Sequence, residues 1–263
     1  MTLRRRAPRI IIFDIETLPN LKEVMRVFPS LSDYWGQTLK ASINSIICFG
    51  YKVVDEDKKA KCVNAWDFPS WNKDVNDDYE IVKALRKILN EADAVVTHNG
   101  KRFDFKFIQS RLLYHNLPLL HDIKHIDTCT LAKKNLFLFN NKLNTLGKFI
   151  LDEGKLENGG WDLWCRVMER DPKAMKLMSD YCKQDVNLLE KVFLRVRPFA
   201  KNIPNHNLFL SSEDGSNLCN SCGSVNLQKN GIRTTLSSIS QRYRCLDCGS
   251  CCAVKIDQRS VNA

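Results

Sequence analysis

The stretch Ile10-Ile11-Ile12-Phe13-Asp14-Ile15-Glu16-Thr17 joins an apolar run to two acids. The apolar residues predict a central, buried strand over Arg9–Thr17. Residues two apart in a strand project from the same face, so Asp14 and Glu16 point the same way. Paired carboxylates at the end of a buried strand are costly to ionise unless a cation lies between them. The simplest such cation is a divalent metal. The alternative is a strand that runs into solvent with two exposed acids.

Further acids stand at two other places in the chain. Tyr181 and Asp185 are four residues apart in a long predicted helix, so they share one helical face. The segment His98-Asn99-Gly100 follows a short apolar strand and leads to Asp104, near the start of the next helix. Taken singly, each has a plain structural explanation: a tyrosine in the core, a solvated acid, or an acid that offsets a helix dipole.

Hydrophobic periodicity predicts the surrounding elements. Besides the first strand, the predicted elements are strands over Ile43–Val54, Lys61–Phe68, Ala94–Thr97 and Lys124–Asp127, and helices over Asp77–Asn90, Arg102–Tyr114 and Pro172–Val196. Strands come first and then alternate with helices, which indicates an α/β domain.

Three segments of the chain resemble the three motifs of the DEDD superfamily of 3′–5′ exonucleases, in its tyrosine subtype. They are Asp14-Ile15-Glu16, Asn99 through Phe103-Asp104, and Tyr181 through Asp185. The resemblance covers about residues 8 to 198. It implies a ribonuclease H-like mixed sheet flanked by helices. The residues around the motifs look most like stand-alone phage and prokaryotic members, some of which are exonuclease subunits of a DNA polymerase.

The resemblance also implies roles for these residues. Asp14 would bridge two Mg²⁺ or Mn²⁺ ions, Glu16 and Asp185 would complete the first site, and Asp104 would hold the second ion. Two metals supply a nucleophile and neutralise charge in phosphodiester hydrolysis. Tyr181 would orient the attacking water. Relatives hold the 3′-terminal nucleotide at positions matching Thr17 and Leu18, and Asn99 and Phe103 are weaker candidates for that pocket.

The leading functional hypothesis is therefore a 3′–5′ exonuclease that acts on single-stranded or frayed 3′ ends of DNA, in replication or repair, with a DNA polymerase as a possible protein partner. The alternatives are an RNA-trimming relative, a structure-specific endonuclease, a transposase-like nuclease, and a catalytically silent nucleic-acid-binding scaffold. Transposases carry one Asp on the first strand, whereas this chain has Asp14 and Glu16 there. The presence of all four acids and the tyrosine disfavours a silent protein.

The last 45 residues contain two Cys-x-x-Cys-Gly knuckles. Two such knuckles offer four thiolates to one Zn²⁺, and metal binding would supply the folding energy of so small a module. The expected ligands are Cys219, Cys222, Cys245 and Cys248. Asn230-Gly231 predicts a hairpin turn between the knuckles. The segment looks like a transposase-type zinc ribbon, a kind of module that usually contacts nucleic acid or protein. Cys251 and Cys252 have no assigned role.

Composition limits the remaining choices. The formal charge is +10 over 263 residues, which favours a polyanionic partner. We find neither an apolar run long enough for a membrane span nor a signal peptide, so we expect a cytoplasmic protein (host cytoplasm if it is phage-encoded) with reduced thiols. Five scattered cysteines are expected to be core filler. The expected organisation is a basic arm (1–8), a nuclease domain (9–200), a linker (201–217) and a zinc ribbon (218–263).

Overall fold

The structure is a computed structural model, and it describes residues 6–18, 45–156, 160–209 and 217–256. The first five residues of the expected basic arm, the start of the second predicted strand, residues 210–216 of the linker and the last seven residues of the ribbon lie outside these ranges. Within them, the chain forms a five-stranded sheet covered by helices and a separate three-stranded sheet. No helix in these ranges is long and apolar enough to cross a membrane.

The larger sheet is mixed, and its central strand is the one that carries the paired acids. Its strands are β1 (Ile10–Thr17), β2 (Ile46–Val53), β3 (Lys61–Asn64), β4 (Ala94–Thr97) and β5 (Lys124–Asp127), in the spatial order β3-β2-β1-β4-β5. The pairs β1–β2 and β2–β3 are antiparallel, whereas β1–β4 and β4–β5 are parallel. The carboxyl ends of β1, β4 and β5 therefore meet at one edge of the sheet, where ligands commonly bind in open α/β sheets.

Helices cover both faces of this sheet. They are α1 (Pro69–Lys73), α2 (Tyr79–Leu89), α3 (Asp104–Tyr114), α4 (Thr128–Asn135), α5 (Leu143–Leu151), α6 (Trp161–Met168) and α7 (Pro172–Val196). Pro172 occupies the first turn of α7, where its missing N–H costs nothing, and Asp171 caps that turn by accepting a hydrogen bond from the N–H of Lys173.

The alternation of β1 divides the core into two layers. Ile11, Phe13 and Ile15 pack with α2 and α3 on one face of the sheet. Ile10 and Ile12 pack on the other face, against apolar side chains of α5 and α7. Asp14 and Glu16 continue the second series at a period of two, so their side chains point toward the face that α7 covers.

The third predicted strand is shorter than expected. It ends at Asn64, and Ala65–Asp67 forms a 3₁₀ turn. Asn64 and Asp67 make a capping box for that turn, and Pro69 then begins α1. Local capping and proline therefore overrule the apolar pattern that suggested a longer strand.

The second sheet consists of β6 (Leu227–Thr234), β7 (Ile239–Cys245) and β8 (Cys251–Lys255). The predicted turn at Asn230-Gly231 is wrong. Gly231 has a φ of +72° and lies inside β6, at an irregularity of the β6–β7 register. The chain reverses after β6, where the N–H of Thr235 donates to the carbonyl of Ser238. An Asn-Gly pair suits a left-handed bulge as well as a hairpin, because both need positive φ.

Candidate active site and four-cysteine site

The acids of β1 lie next to an acid of α7. Carboxylate oxygens of Asp14, Glu16 and Asp185 are all within 4.8 Å of one another. Asp185 is fully buried, while Asp14 and Glu16 are half-buried. The structure thus brings together three acids from widely separated parts of the sequence, as the motif pattern predicts.

The fourth acid, Asp104, is the first residue of α3 and is 3% exposed. Burial raises its pKa to about 6, although hydrogen bonds from backbone amides, including that of Ile15, oppose the increase. Its charge raises the pKa of Asp14 and of Glu16, so it is close enough to interact with the two acids of β1, although it is not one of the three whose oxygens lie within 4.8 Å of one another. The end of β4 and the start of α3 therefore deliver this acid to the same sheet edge.

The carboxylates of this cluster are difficult to ionise together. Burial, and then the charge of Asp185, raise the pKa of Glu16 to about 8. Burial and the charges of Asp104 and Glu16 raise the pKa of Asp14 well above its usual value. In addition, one carboxylate oxygen of Asp104 and one of Asp185 are buried without a hydrogen-bond partner among the described residues. Unpaired, crowded oxygens are the ligands that hard divalent cations prefer, so this donor set fits Mg²⁺ or Mn²⁺.

One cation already faces the cluster. The ammonium of Lys155 lies 2.5 Å from Oδ2 of Asp185 and donates a hydrogen bond of 3.2 Å to the hydroxyl of Tyr181. The backbone N–H of Lys155 donates to the side-chain oxygen of Asn144, which fixes the segment after α5. Sequence reasoning missed this lysine because it is one of many in a basic chain and belongs to none of the three motifs.

Tyr181 lies one turn before Asp185 on the same face of α7 and is 8% exposed. Burial and the neighbouring acids raise the pKa of its phenol, so the phenol stays protonated at neutral pH. Its ring centroid is 6.5 Å from that of Trp164 in an edge-to-face arrangement. The hydroxyl group is therefore held at the border between the acids and an aromatic wall.

A cavity of about 530 Å³ adjoins Glu16. Thr17 and Phe103, two of the four predicted substrate-binding residues, line it together with Trp161 and Trp164. The sequence suggested no role for the two tryptophans beyond core or rim packing, because nothing in the spacing of α6 distinguishes a cavity wall from a core face.

The other two predicted substrate-binding residues have structural partners instead. Leu18 is 4% exposed, and its N–H donates to the carbonyl of Ser45. Asn99 has a φ of +68°, and its N–H donates to Asp127 at the end of β5. Neither residue is among those that line the cavity beside Glu16.

The four cysteines of the two knuckles converge at the base of the second sheet. Their sulfur atoms lie within 4.8 Å of one another. The N–H of Gly223 donates to the carbonyl of Cys219, and the N–H of Gly249 donates to that of Cys245. Both glycines have positive φ, which closes each knuckle tightly. Four convergent thiols in reach of one centre are compatible with tetrahedral Zn²⁺.

Comparison with known proteins places this architecture among known folds. Residues 36–196 match the family model of the RNase H superfamily. No curated protein matches the chain. Among solved structures, the chain is similar to the family B DNA polymerase from the hyperthermophilic archaeon Pyrobaculum calidifontis, with a TM-score of 0.52 and 13% sequence identity. That match covers 89% of this chain and 32% of the polymerase chain. The mixed sheet, the acids at its edge and the family match over more than half of the sequence agree, and the chain belongs to the RNase H superfamily.

Proposed function

We propose that this protein is a divalent-metal-dependent 3′–5′ exonuclease that hydrolyses the phosphodiester bonds of DNA, in the tyrosine subtype of the DEDD superfamily. The observation that carries the proposal is the convergence of Asp14, Glu16 and Asp185 within 4.8 Å, with Asp104 close enough for its charge to act on Asp14. Superfamily membership supports a nuclease in general, and the similarity to a DNA polymerase chain supports DNA as the substrate.

In this proposal, Asp14, Glu16 and Asp185 would hold one Mg²⁺ or Mn²⁺ ion, and Asp14 and Asp104 would hold a second. When bound, such ions ionise the attacking water and neutralise charge on the phosphate and the leaving oxygen. Tyr181 would orient the attacking water through its hydroxyl group. Its raised pKa keeps the phenol protonated, so the phenol cannot take a proton from that water and its role is positional.

Lys155 has a different part in the same site. Its ammonium balances the charge of Asp185 and supports the hydroxyl of Tyr181. With bound metal to neutralise the acids, the same ammonium is available to the phosphate of the scissile bond, a group that lysine binds as a point charge.

The cavity beside Glu16 is the proposed site for the terminal nucleotide. Phe103, Trp161 and Trp164 offer aromatic surfaces, and Thr17 offers a hydroxyl group. Aromatic rings bind any base through its π-face, which suits an enzyme that degrades DNA without regard to sequence.

The loop between α4 and α5 supports a single-stranded substrate. Phe137 and Phe139 are fully exposed there. Each ring therefore lacks the roughly 2 kcal/mol of stabilisation that its burial would provide. Exposed Lys133, Lys134 and Lys142 flank them. His98, at the carboxyl end of β4, anchors this loop by donating from Nε2 to the carbonyl of Asn141 over 2.8 Å. Exposed rings among lysines are typical of single-strand binding surfaces.

We also propose that the four-cysteine site holds one structural Zn²⁺ and that the second sheet adds affinity for nucleic acid. Arg242 and Arg244 project from one face of β7, and Arg233 is exposed on β6. Tyr243 lies between the two β7 arginines in the sequence and is half-buried. Arginines can contact phosphates, and a tyrosine can stack on a base.

The test is degradation of 5′-labelled single-stranded DNA in Mg²⁺, with a labelled RNA of the same sequence in parallel. We expect a descending ladder from DNA, and a loss of rate of about a hundredfold or more in Asp14→Asn, because this acid would contact both ions. Glu80→Gln is the matched control, since Glu80 is an acid on α2 whose side chain is 41% exposed and pairs with Lys83. Full activity in Asp14→Asn would refute the proposal. Internal bands would indicate an endonuclease, and preference for RNA would indicate an RNA-trimming enzyme.

A further inference from the structure

Three of the cysteines expected to be core filler come together in the fold. They are Cys48 on β2, Cys62 on β3 and Cys182 on α7, and their sulfur atoms lie within 4.8 Å of one another. Cys48 and Cys182 are fully buried, and Cys62 is half-buried. Among the described residues, Cys129 and Cys165 join no such group. The three-thiol cluster, as we call Cys48, Cys62 and Cys182, is thus separate from the four-cysteine site.

The sheet register and one glycine create the three-thiol cluster. Cys48 pairs with Asn64, and Gly50 pairs with Cys62, so the two cysteines lie two positions apart on the same face of neighbouring strands. Gly50 lets α7 approach that face. A Cβ atom at Gly50 would lie 2.9 Å from the carbonyl oxygen of Cys182 and 3.1 Å from its sulfur.

We propose that Cys48, Cys62 and Cys182 form a binding site for a thiophilic divalent cation of the Zn²⁺ class. Three sulfurs that each lie about 2.3 Å from a common ion are about 4 Å apart, which the observed spacing accommodates. Binding forms three metal–sulfur bonds and releases to solvent the protons of those cysteines that are still thiols, with no change of oxidation state.

The chemistry of the ligands separates this ion from those proposed for Asp14, Glu16, Asp104 and Asp185, which we call the nuclease centre. Thiolates select soft cations, whereas carboxylates select Mg²⁺ and Mn²⁺. Charge favours a divalent ion over a monovalent one. Three thiolates with a divalent ion leave one net negative charge, and with a monovalent ion they leave two. The second charge would be costly close to Glu16, which pairs directly with Cys48 across β1 and β2.

The position of this site gives it a structural consequence. Cys182 directly follows Tyr181, and its sulfur lies 4.0 Å from the carbonyl oxygen of Asp14. An ion held by the three-thiol cluster would therefore tie α7 to β2 and β3 beside the acids of the nuclease centre. We describe the cysteines as positioning residues, since none of them faces the cavity for the terminal nucleotide.

The test is a titration of the reduced full-length protein with Cd²⁺ in excess Mg²⁺, followed by thiolate-to-cadmium absorption in the near ultraviolet. Wild-type protein is expected to bind two thiolate-ligated ions per chain, one at the four-cysteine site and one at the three-thiol cluster. Cys62→Ser is expected to bind one. Cys165→Ser, which changes another half-buried cysteine, is the matched control and should still bind two.

One thiolate-ligated ion in the wild-type protein would overturn the proposal, as would two in Cys62→Ser. Cys182→Ala is the second variant and should also bind one ion. In both variants, the remaining ion and an unchanged circular dichroism spectrum show that the chain is folded. The measurement needs no nuclease activity, so its outcome is independent of the proposed function.

Discussion

The side chain of Lys155 has a role that differs between metal-free and metal-bound protein. Its ammonium forms an ion pair with the buried carboxylate of Asp185. An unpaired buried charge costs far more than an exposed one. In the absence of divalent metal, Lys155 therefore stabilises the nuclease centre, and bound metal would take over that task.

We expect Lys155→Met to unfold more easily than wild type in Mg²⁺-free buffer, by about 1–3 kcal/mol. The difference should shrink in saturating Mg²⁺. Chemical denaturation under both conditions measures this. Lys191→Met is the control, because Lys191 forms an exposed ion pair with Glu153, and such pairs contribute little. Equal stability of Lys155→Met and wild type without Mg²⁺ would contradict the role we assign to this lysine.

At the scale of the elements, the segment that connects α4 to α5 exposes apolar side chains that do not contribute to the core. Leu136 and Leu138 are partly buried against the core, whereas Phe137 and Phe139 alternate with them and point outward. The alternation resembles that of a strand, but the segment pairs with neither sheet in the described parts of the chain.

We expect the double substitution Phe137→Ala and Phe139→Ala to weaken binding of single-stranded DNA at least about thirtyfold, because each of two stacked bases contributes roughly 1–3 kcal/mol. Fluorescence anisotropy of a labelled oligonucleotide without Mg²⁺ gives the Kd and avoids degradation. Tyr114→Ala is the control, since Tyr114 is an exposed aromatic at the far end of α3 from Asp104. An unchanged Kd in the double variant would assign this loop to another partner.

The elements that sequence reasoning identified are those with strong local signals. The period of β1, the caps of α7 and the apolar run of β4 give strands and helices close to the observed ones. The helices α1, α4, α5 and α6 were not predicted. Each has nine residues or fewer, so its apolar face depends on contacts that a short window does not reveal.

The same distinction applies to the functional groups. Asp14, Glu16, Asp104 and Asp185 belong to patterns with fixed spacing. The structure brings three of them within 4.8 Å of one another, and the charge of Asp104 acts on Asp14. Lys155, Trp161 and Trp164 belong to no pattern, and only the packing of α5 and α6 places them near the acids. The three-thiol cluster depends on strand register, which no single segment of sequence encodes.

For the molecule as a whole, shifted pKa values couple folding to pH in two opposing directions. The pKa of Cys62, lowered from 9.0 to about 4, adds stability as the pH rises. The raised pKa values of Asp14, Glu16 and Asp104 remove stability as the pH rises. A carboxyl group whose pKa is higher in the folded state binds more protons there, so its contribution to stability is full at low pH and declines as the pH rises. For Glu16 the decline runs from its ordinary pKa of 4.5 to about 8. For Asp104 it runs from 3.8 to about 6.

We therefore expect Mg²⁺-free protein to be less stable toward urea at pH 8.5 than at pH 6. Mg²⁺ should stabilise it more at the higher pH, where the acids are ionised and free to bind the ion. Urea midpoints at both pH values, with and without Mg²⁺, provide the measurement. Glu16→Gln should lose part of the pH dependence, and Glu80→Gln should keep all of it. A wild-type midpoint that rises with pH in Mg²⁺-free buffer would contradict this account.

The helix α7 sets a geometric constraint on how this chain can change. Asp185 lies in its middle, and Arg197, directly after its last residue, donates a hydrogen bond to the carbonyl of Ser221 between two cysteines of the four-cysteine site. In a helix, one inserted or deleted residue advances everything beyond it by about 1.5 Å and turns it by about 100°. A length change between Asp185 and Arg197 would thus rotate the second sheet out of phase with the acids. Insertions or deletions of about three or four residues, close to a whole helical turn, would change the orientation of the second sheet relative to the acids least. The length of α7 between Asp185 and Arg197 therefore limits which insertions and deletions keep the two sheets in their present orientation.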